Sequence, residues 1–366
     1  MLKPIHKVEC SPALASCQKL MQRFAFWLCD AATTPVTITQ YSLQPPRIPT
    51  AIEANWLWDF LQKTHAGSAL LDRARAIAAL SDPEKRNLRT WIEEVSALAS
   101  QFQPHPARWP EDRPNIALPA WEAFKTLMQA FYKKGLDSGL PYQADGAPVT
   151  TGGVKYEDFL KAFRNAHRLS HDPNAREVCV LCGGPLGQTP EVDHWIRQSA
   201  FPILSVCDEN LLPVCGDCNS TTNKREKAVH SNGTFSDWFH PYLRPGNGAL
   251  IISYSLPTFT VTCTAGNGDQ PKADKLDWLL NLRARWTREF KAEYAKQQGV
   301  LLRRERRRIA IGTARHTPAE ISDYVHQWVG NLVASEPFFE IHEALGKAMN
   351  EPARLASWHA ELSMVR

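Results

Sequence analysis

The sequence predicts an α+β chain that is mostly helical, on three observations. Apolar residues recur at helical spacing between residues 51 and 135 and again beyond residue 273. One segment, 249–264, alternates β-branched and aromatic residues in the manner of strands. Between these regions lies a stretch too rich in Cys, Gly and Pro for either pattern, bracketed by two Cys-x-x-Cys pairs.

The chain has 366 residues, room for two or three domains. The composition shifts divide it into a mainly helical region at 1–150, a cysteine-bearing module at 165–245, and a strand pair followed by a basic helical region at 246–366. Hydrophobic residues make up 43% and charged residues 22%, which is ordinary for a soluble globular protein and excludes a disordered or fibrous class. The longest early apolar run, Phe24 to Cys29, is too short for a signal core, and no stretch approaches the roughly 20 apolar residues that span a bilayer. The expected location is the cytoplasm, with no membrane partner. There, nine Cys are better read as thiols or metal ligands than as disulfides. Twelve Trp point to well-packed cores, or to surfaces that stack on something flat. The formal net charge of +4 permits nucleic-acid binding without requiring it.

Taken in order, an apolar patch at Leu20–Leu28 and a β-branched run at Thr33–Thr39 end at Pro45, Pro46 and Pro49. A helix is expected from Ala51 to Thr64, with Trp56, Phe60 and Leu61 on one face. A second is expected from Pro83 to Phe102, with Ser81 as N-cap and Glu84 completing a capping box. A Pro-rich connector, 104–119, precedes a third helix from Ala120 to Gly135. A Gly- and Pro-containing linker at 136–153 leads to a short helix from Tyr156 to Arg168. Beyond the strands, one long charged helix is expected from Ala273 to Gln298, and the remainder from Pro318 to Val365 reads as helical.

The informative stretch runs from Cys179 to Lys227. Cys179-Val-Leu-Cys182 is followed by Gly183-Gly184, and 32 residues separate it from Cys215-Gly-Asp-Cys218. A Cys-x-x-Cys turn puts two thiolates on one side of a tight loop, and two such turns complete a tetrahedral Zn²⁺ shell. A closed four-thiolate shell leaves no position for substrate, so this zinc is expected to be structural. Four unrelated free thiols, or a redox pair, are poorer readings of this spacing.

Between the pairs stand Val192-Asp193-His194-Trp195 and Asn210-Leu-Leu-Pro-Val-Cys215, and Asn219 follows Cys218 directly. In these residues the chain resembles the HNH nuclease family, over about 50 residues from Cys179 to Lys227. The resemblance implies a ββα-metal fold with a treble-clef-like zinc site, set between helical N- and C-terminal regions. It implies a hairpin carrying Asp193 and His194 at the end of its first strand, and a helix starting near Cys218 with Asn219 on its first turn. Asp193 and Asn219 would then hold one hard divalent cation, Mg²⁺ or similar, on a phosphate oxygen. His194 would act as general base on the attacking water, and Asn210 would hold His194 or its loop in orientation. The chain departs from the family in having Arg197 where many members have Pro, and Thr222 where many have Lys. The second departure leaves Asn223 as an alternative to Asn219, although Asn219 sits nine residues from Asn210, as the pattern asks.

Arg197, Lys224 and Arg225 could grip phosphates or simply be solvated. The run Arg303, Arg304, Arg306, Arg307 and Arg308 suits a phosphate track, while Arg283, Arg285, Arg288 and Lys291 ahead of it read equally as part of that track or as a solvated helix face balanced by Asp277, Glu289 and Glu293. Cys207 lacks a partner and reads as a buried small hydrophobe, and His230 and His240 read as packed residues. The expectation is therefore a metal-dependent endonuclease acting on DNA, with RNA not excluded. The loop Phe201–Ser205 followed by Asn210-Leu-Leu-Pro further resembles bacterial HNH proteins of anti-phage defence, which implies protein partners in a multi-gene system. The alternative is a zinc-stapled nucleic-acid- or protein-binding adaptor without chemistry.

Overall fold

The computed structural model describes residues 2–172, 174–266 and 268–365. Helix α1 (Ser11–Leu28) opens the chain with Pro12 in its first turn. It absorbs the apolar patch at 20–28, while the β-branched run at 33–39 forms no strand. Helix α2 (Ala51–Leu61) starts at a reciprocal cap, in which Thr50 N donates to Glu53 Oε2 at 3.1 Å and Glu53 N donates to Thr50 Oγ1 at 3.2 Å. A two-residue hairpin, β1 (Thr64–His65) with β2 (Ser68–Ala69), leads into α3 (Leu70–Ala78).

Helix α4 (Asp82–Ser96) begins where Ser81 and Glu84 place it, with Ser81 N donating to Glu84 Oε2 at 3.2 Å. It ends six residues before Phe102, and a 3-10 turn carries the chain onward. Helix α5 (Leu118–Ala130) passes into a π-helical stretch, Phe131–Leu136, rather than continuing as α-helix. Helix α6 (Tyr156–His167) precedes the cysteine region.

In that region β3 (Glu191–His194) pairs antiparallel with β4 (Leu211–Val214), placing Asp193 opposite Leu212 and His194 opposite Leu211. The expected hairpin is present, but the expected helix after Cys218 is not. Residues 215–228 form successive turns. The reason is local competition by Ser and Asn side chains for the backbone. Ser220 Oγ donates to Asp217 O at 2.9 Å, Asn223 Nδ2 donates to the same carbonyl, and Lys224 N returns to Cys218 O at 3.4 Å.

A second hairpin, β5 (Leu250–Ser255) with β6 (Thr260–Ala265), occupies the alternating segment. The long charged helix is broken into α7 (Gln270–Leu280) and α8 (Leu282–Ala310) by Asn281, whose φ of 52° is left-handed. Asn tolerates that conformation better than most residues, which lets the chain turn there without glycine. Helices α9 (Pro318–Gly330), α10 (Phe339–Met349) and α11 (Pro352–Ser363) complete the chain. The result is α+β with small antiparallel sheets. No helix among the described residues is long and apolar enough to cross a membrane.

The buried apolar side chains form one continuous cluster from Val8 to Leu362. The loop between β3 and β4 is embedded in the N-terminal helices. Phe201 lies flat against Trp91 of α4, with ring centroids 5.9 Å apart, and contacts Trp109 at 5.2 Å. Ile203 and Leu204 are fully buried beside it. Each such side chain contributes about 2–3 kcal/mol by leaving water. Polar ties fix the register: Gln18 Nε2 donates to Ile203 O at 2.6 Å, Gln129 Nε2 to Gln198 O at 3.0 Å, and Ser205 Oγ to Met128 O at 2.7 Å.

Candidate metal centre and adjoining cleft

Cys179, Cys182, Cys215 and Cys218 converge as the spacing predicts. All four are buried, and their sulfurs lie within 4.8 Å of one another. The Cys179–Cys218 and Cys182–Cys215 separations are 4.0 and 3.8 Å. Four sulfurs at about 2.3 Å from a tetrahedral zinc stand about 3.8 Å apart, so this set can close around one ion with little movement. The first turn depends on Gly183, which has φ +73° and donates its N–H to Cys179 O at 2.9 Å. A Cβ there would come within 2.5 Å of Leu2.

Arg285 covers the cluster from the first turns of α8. Its guanidinium donates to Cys218 Sγ and Cys182 Sγ, each at 3.3 Å, and lies 3.8 Å from Cys215 Sγ. Burial disfavours the Arg285 charge, but the sulfurs of Cys218 and Cys182 overcome this and raise its pKa. Hydrogen bonds among the sulfurs, led by those from Cys179 and Cys182, push the Cys215 thiol far below its usual range. Trp286 Nε1 donates to Cys182 O at 2.9 Å, which fixes the helix to the turn. Arg285 is neither on an open phosphate track nor on a solvated helix face, the two places its sequence suggests. Its 67-residue separation from Cys218 hid its actual role as a cover for the sulfurs.

Beside this cluster lies a cleft of about 150 Å³, lined by Val192, Asp193, His194, Arg197, Gln198, Ser199, Asn219, Arg225 and Glu226. His194 is buried, and its Nε2 lies 2.9 Å from Ser205 O. A carbonyl only accepts, so Nε2 carries the proton and Nδ1 is left as the basic nitrogen. Burial lowers the His194 pKa to about 4, against a smaller raising effect of the Ser205 carbonyl. The ring meets Tyr132 edge to face at 4.7 Å, and Tyr132 comes from the π-helical stretch. No periodicity in the sequence marks Tyr132 for this place.

Asn210 is fully buried and staples the loop. Its Oδ1 accepts from Ile196 N at 2.6 Å, and its Nδ2 donates to Ile196 O and Leu204 O at 3.0 and 3.1 Å. The loop it closes carries the Ser205 carbonyl that orients His194. Asn219 lines the cleft and donates from Nδ2 to Glu191 Oε2. Asn223, the alternative ligand, is buried and turned to Asp217 O. It does not line the cleft.

Lys224 is not on the surface. Its side chain is fully buried, with Nζ 2.7 Å from Asp193 Oδ2 and donating to His194 O at 2.6 Å. It is therefore unavailable to a phosphate, because the missing helix lets residue 224 fold back under β3. Burial raises the Asp193 pKa, and the Lys224 charge partly opposes that. Arg197 lines the cleft but is engaged, pairing with Asp112 and donating to Glu226 O at 2.8 Å. Arg225 is exposed at the rim.

The basic run on α8 is divided. Glu305 is fully buried and accepts from His316 N at 3.2 Å, and Arg308 is held by Glu320 at 2.9 Å and by Ala314 O at 2.6 Å. Arg308 is thus a structural residue. Arg303, Arg304, Arg306 and Arg307 are exposed, with Arg304 lying over the Tyr324 ring at 4.7 Å.

No family model matches the chain, and no solved structure matches it. Over 91 residues it is 32% identical to Protein ea31 of Escherichia phage lambda. That stretch is 24% of this chain and spans only 29% of the phage protein.

Proposed function

We propose that this chain is a metal-dependent endonuclease of the HNH type that hydrolyses DNA phosphodiester bonds. The observation that carries the reading is the state of His194. Its proton is committed to Ser205 O, its depressed pKa keeps it neutral, and it shares one cleft with Asp193 and Asn219. A neutral imidazole with a free Nδ1 can take a proton from a water molecule that attacks phosphorus.

The four thiolates suit a structural zinc, and Arg285 offsets part of the negative charge that such a shell carries. Asp193 and Asn219 offer the hard oxygen donors that a Mg²⁺-like ion prefers. Asp193 Oδ2 is buried and lacks an aligned hydrogen bond, although Lys224 lies beside it. A cation held there would neutralise charge on a phosphate oxygen and on the leaving group. In this reading Asn210 and Ser205 are positioning residues and Tyr132 packs the face of the base. Arg225 meets a phosphate at the rim. Arg303, Arg306 and Arg307 lie some 30 Å along α8 from Arg285, about nine nucleotides of one strand.

A second reading is favoured by two pairings. Lys224 already partners Asp193 and Glu191 already holds Asn219, which suits a zinc-stapled adaptor without chemistry. A plasmid-nicking assay with Mg²⁺ separates the two. The nuclease reading expects nicking by the native chain and its loss in His194→Ala with an unchanged circular-dichroism spectrum. Equal residual cutting by both proteins, or none by either, sinks it.

A further inference from the structure

We infer that Trp278 is a stacking platform for an unpaired nucleobase beside the cleft. The inference rests on the nuclease reading and adds the kind of substrate to it. Of the twelve tryptophans, only Trp278 is exposed, at 56% of its surface, while the others are buried or half-buried. It projects from α7, which packs against the turns that follow the metal knuckle. Lys227 Nζ donates to Trp278 O at 3.1 Å and lies 4.7 Å from the indole centroid. Lys227 adjoins Glu226 and lies two residues beyond Arg225, and both of those line the cleft. Arg225 at the cleft rim is thus two residues along the chain from the lysine that sits on the indole, and the inference is that a nucleotide held by Arg225 lays its base on the Trp278 ring.

The surroundings favour a nucleic acid over a protein. Trp238 supports the indole edge to face at 6.2 Å, and Lys275 Nζ lies 5.7 Å above the Trp238 ring. An exposed indole with Lys227 over its ring and Lys275 on the neighbouring Trp238 offers an aromatic surface together with positive charge, which is the arrangement that binds single strands with little regard to sequence. The acids nearby have partners: Asp237 accepts from Ser231 and stands 3.9 Å from Lys275, Asp277 pairs with Arg283 at 3.4 Å, and the exposed Asp274 and Glu226 accept from Gln270 at 2.8 Å and Ser199 at 2.7 Å. Among the described residues, no other large apolar side chain on α7 or the 219–227 turns is exposed, so there is no broad apolar patch for a protein to cover. Bases inside a duplex are stacked on one another and cannot lie on this ring. The platform therefore selects substrates with unpaired nucleotides next to the scissile phosphate.

The test is equilibrium binding by fluorescence anisotropy, without added divalent metal, of a labelled 20-nucleotide single strand and of a duplex of the same length. The proteins are His194→Ala alone and combined with Trp278→Leu or Trp278→Phe. Loss of the aromatic face in Trp278→Leu should weaken single-strand binding about 5- to 150-fold. Duplex affinity should change less than about twofold, and Trp278→Phe should retain most of the single-strand affinity. Thermal melts of the variants should coincide, since the ring is largely in solvent. Unchanged single-strand affinity in Trp278→Leu overturns this inference while leaving the nuclease reading to its own assay, as does equal weakening on both DNAs. Failure of His194→Ala to bind the single strand also overturns the inference, and absence of Mg²⁺-dependent nicking by the native chain overturns the nuclease reading beneath it.

Discussion

Replacing Lys224 with Met keeps roughly the length of the side chain and removes its charge at a fully buried position. In the native chain the ammonium neutralises Asp193 at 2.7 Å and satisfies His194 O at 2.6 Å. Without it, a buried carboxylate has no counter-ion, a defect that costs about 3–5 kcal/mol. The cost depends on pH, and its sign follows from Asp193. Burial holds the folded-state pKa of Asp193 above its ordinary value even with Lys224 present, and removing Lys224 raises it further. The folded chain then holds this proton more tightly than the unfolded chain. Stability therefore falls as pH rises from the ordinary carboxylate range, near 3.9, through the raised folded value. Urea unfolding should show the full deficit at pH 8. At pH 5 the deficit should shrink towards the about 1–2 kcal/mol of an orphaned His194 carbonyl. Asp193→Asn combined with Lys224→Met should recover most of the loss. Because Lys224 competes with any cation for Asp193, millimolar Mg²⁺ should stabilise Lys224→Met, by about 2.7 kcal/mol at a hundredfold excess over its Kd, and stabilise the native chain less. A deficit below about 1 kcal/mol at pH 8, or one equal at both pH values, would refute the assignment of a buried ion pair.

Other consequences follow from the same geometry. Elemental analysis should find about one zinc per native chain and none in Cys215→Ser, whose thermal melt should broaden. Arg285→Ala should retain the fold but lose roughly 10- to 100-fold in zinc affinity, read by competition with a chromophoric chelator. His194 has a folded-state pKa of about 4 against about 6.5 unfolded, so its contribution is present above pH 6.5 and lost as pH falls to 4. His194→Asn should remove about 3 kcal/mol of that acid-side loss in denaturant titrations at the two pH values. Ser205→Ala forfeits the hydroxyl bond to Met128 O, which costs about 1 kcal/mol. It should also lower the nicking kcat severalfold with KM unchanged, because the carbonyl that orients His194 loses its tether.

The sequence disclosed contacts that are local or carried by spacing. Two Cys-x-x-Cys turns, the cap at Ser81 and the strand pair after residue 249 were legible because short-range geometry dictates them, while the hairpin bearing Asp193 and His194 was implied by the family resemblance alone. What it concealed were outcomes of competition and of distance. Ser220 and Asn223 side chains outbid the helix expected after Cys218, and that in turn drew Lys224 inward to Asp193. Asn281 divides a helix that is continuous by periodicity alone. Arg285, the Ser205 carbonyl and Tyr132 reach the site from remote segments, and nothing in their own neighbourhoods signals that destination.

The embedding of the β3–β4 loop in α1, α4 and α5 means that the cysteine module is not a portable part. A fragment beginning near residue 165 would strip Phe201, Ile203 and Leu204 of their cover and present them to neighbouring molecules as a sticky face. It would also cut Ser205 from its anchor on Met128, so the imidazole would swing freely even where the four cysteines still met. Anyone transplanting this module to another scaffold would have to supply a substitute for the three helices, which makes the N-terminal third a jig for the imidazole as well as a wrapping for the core.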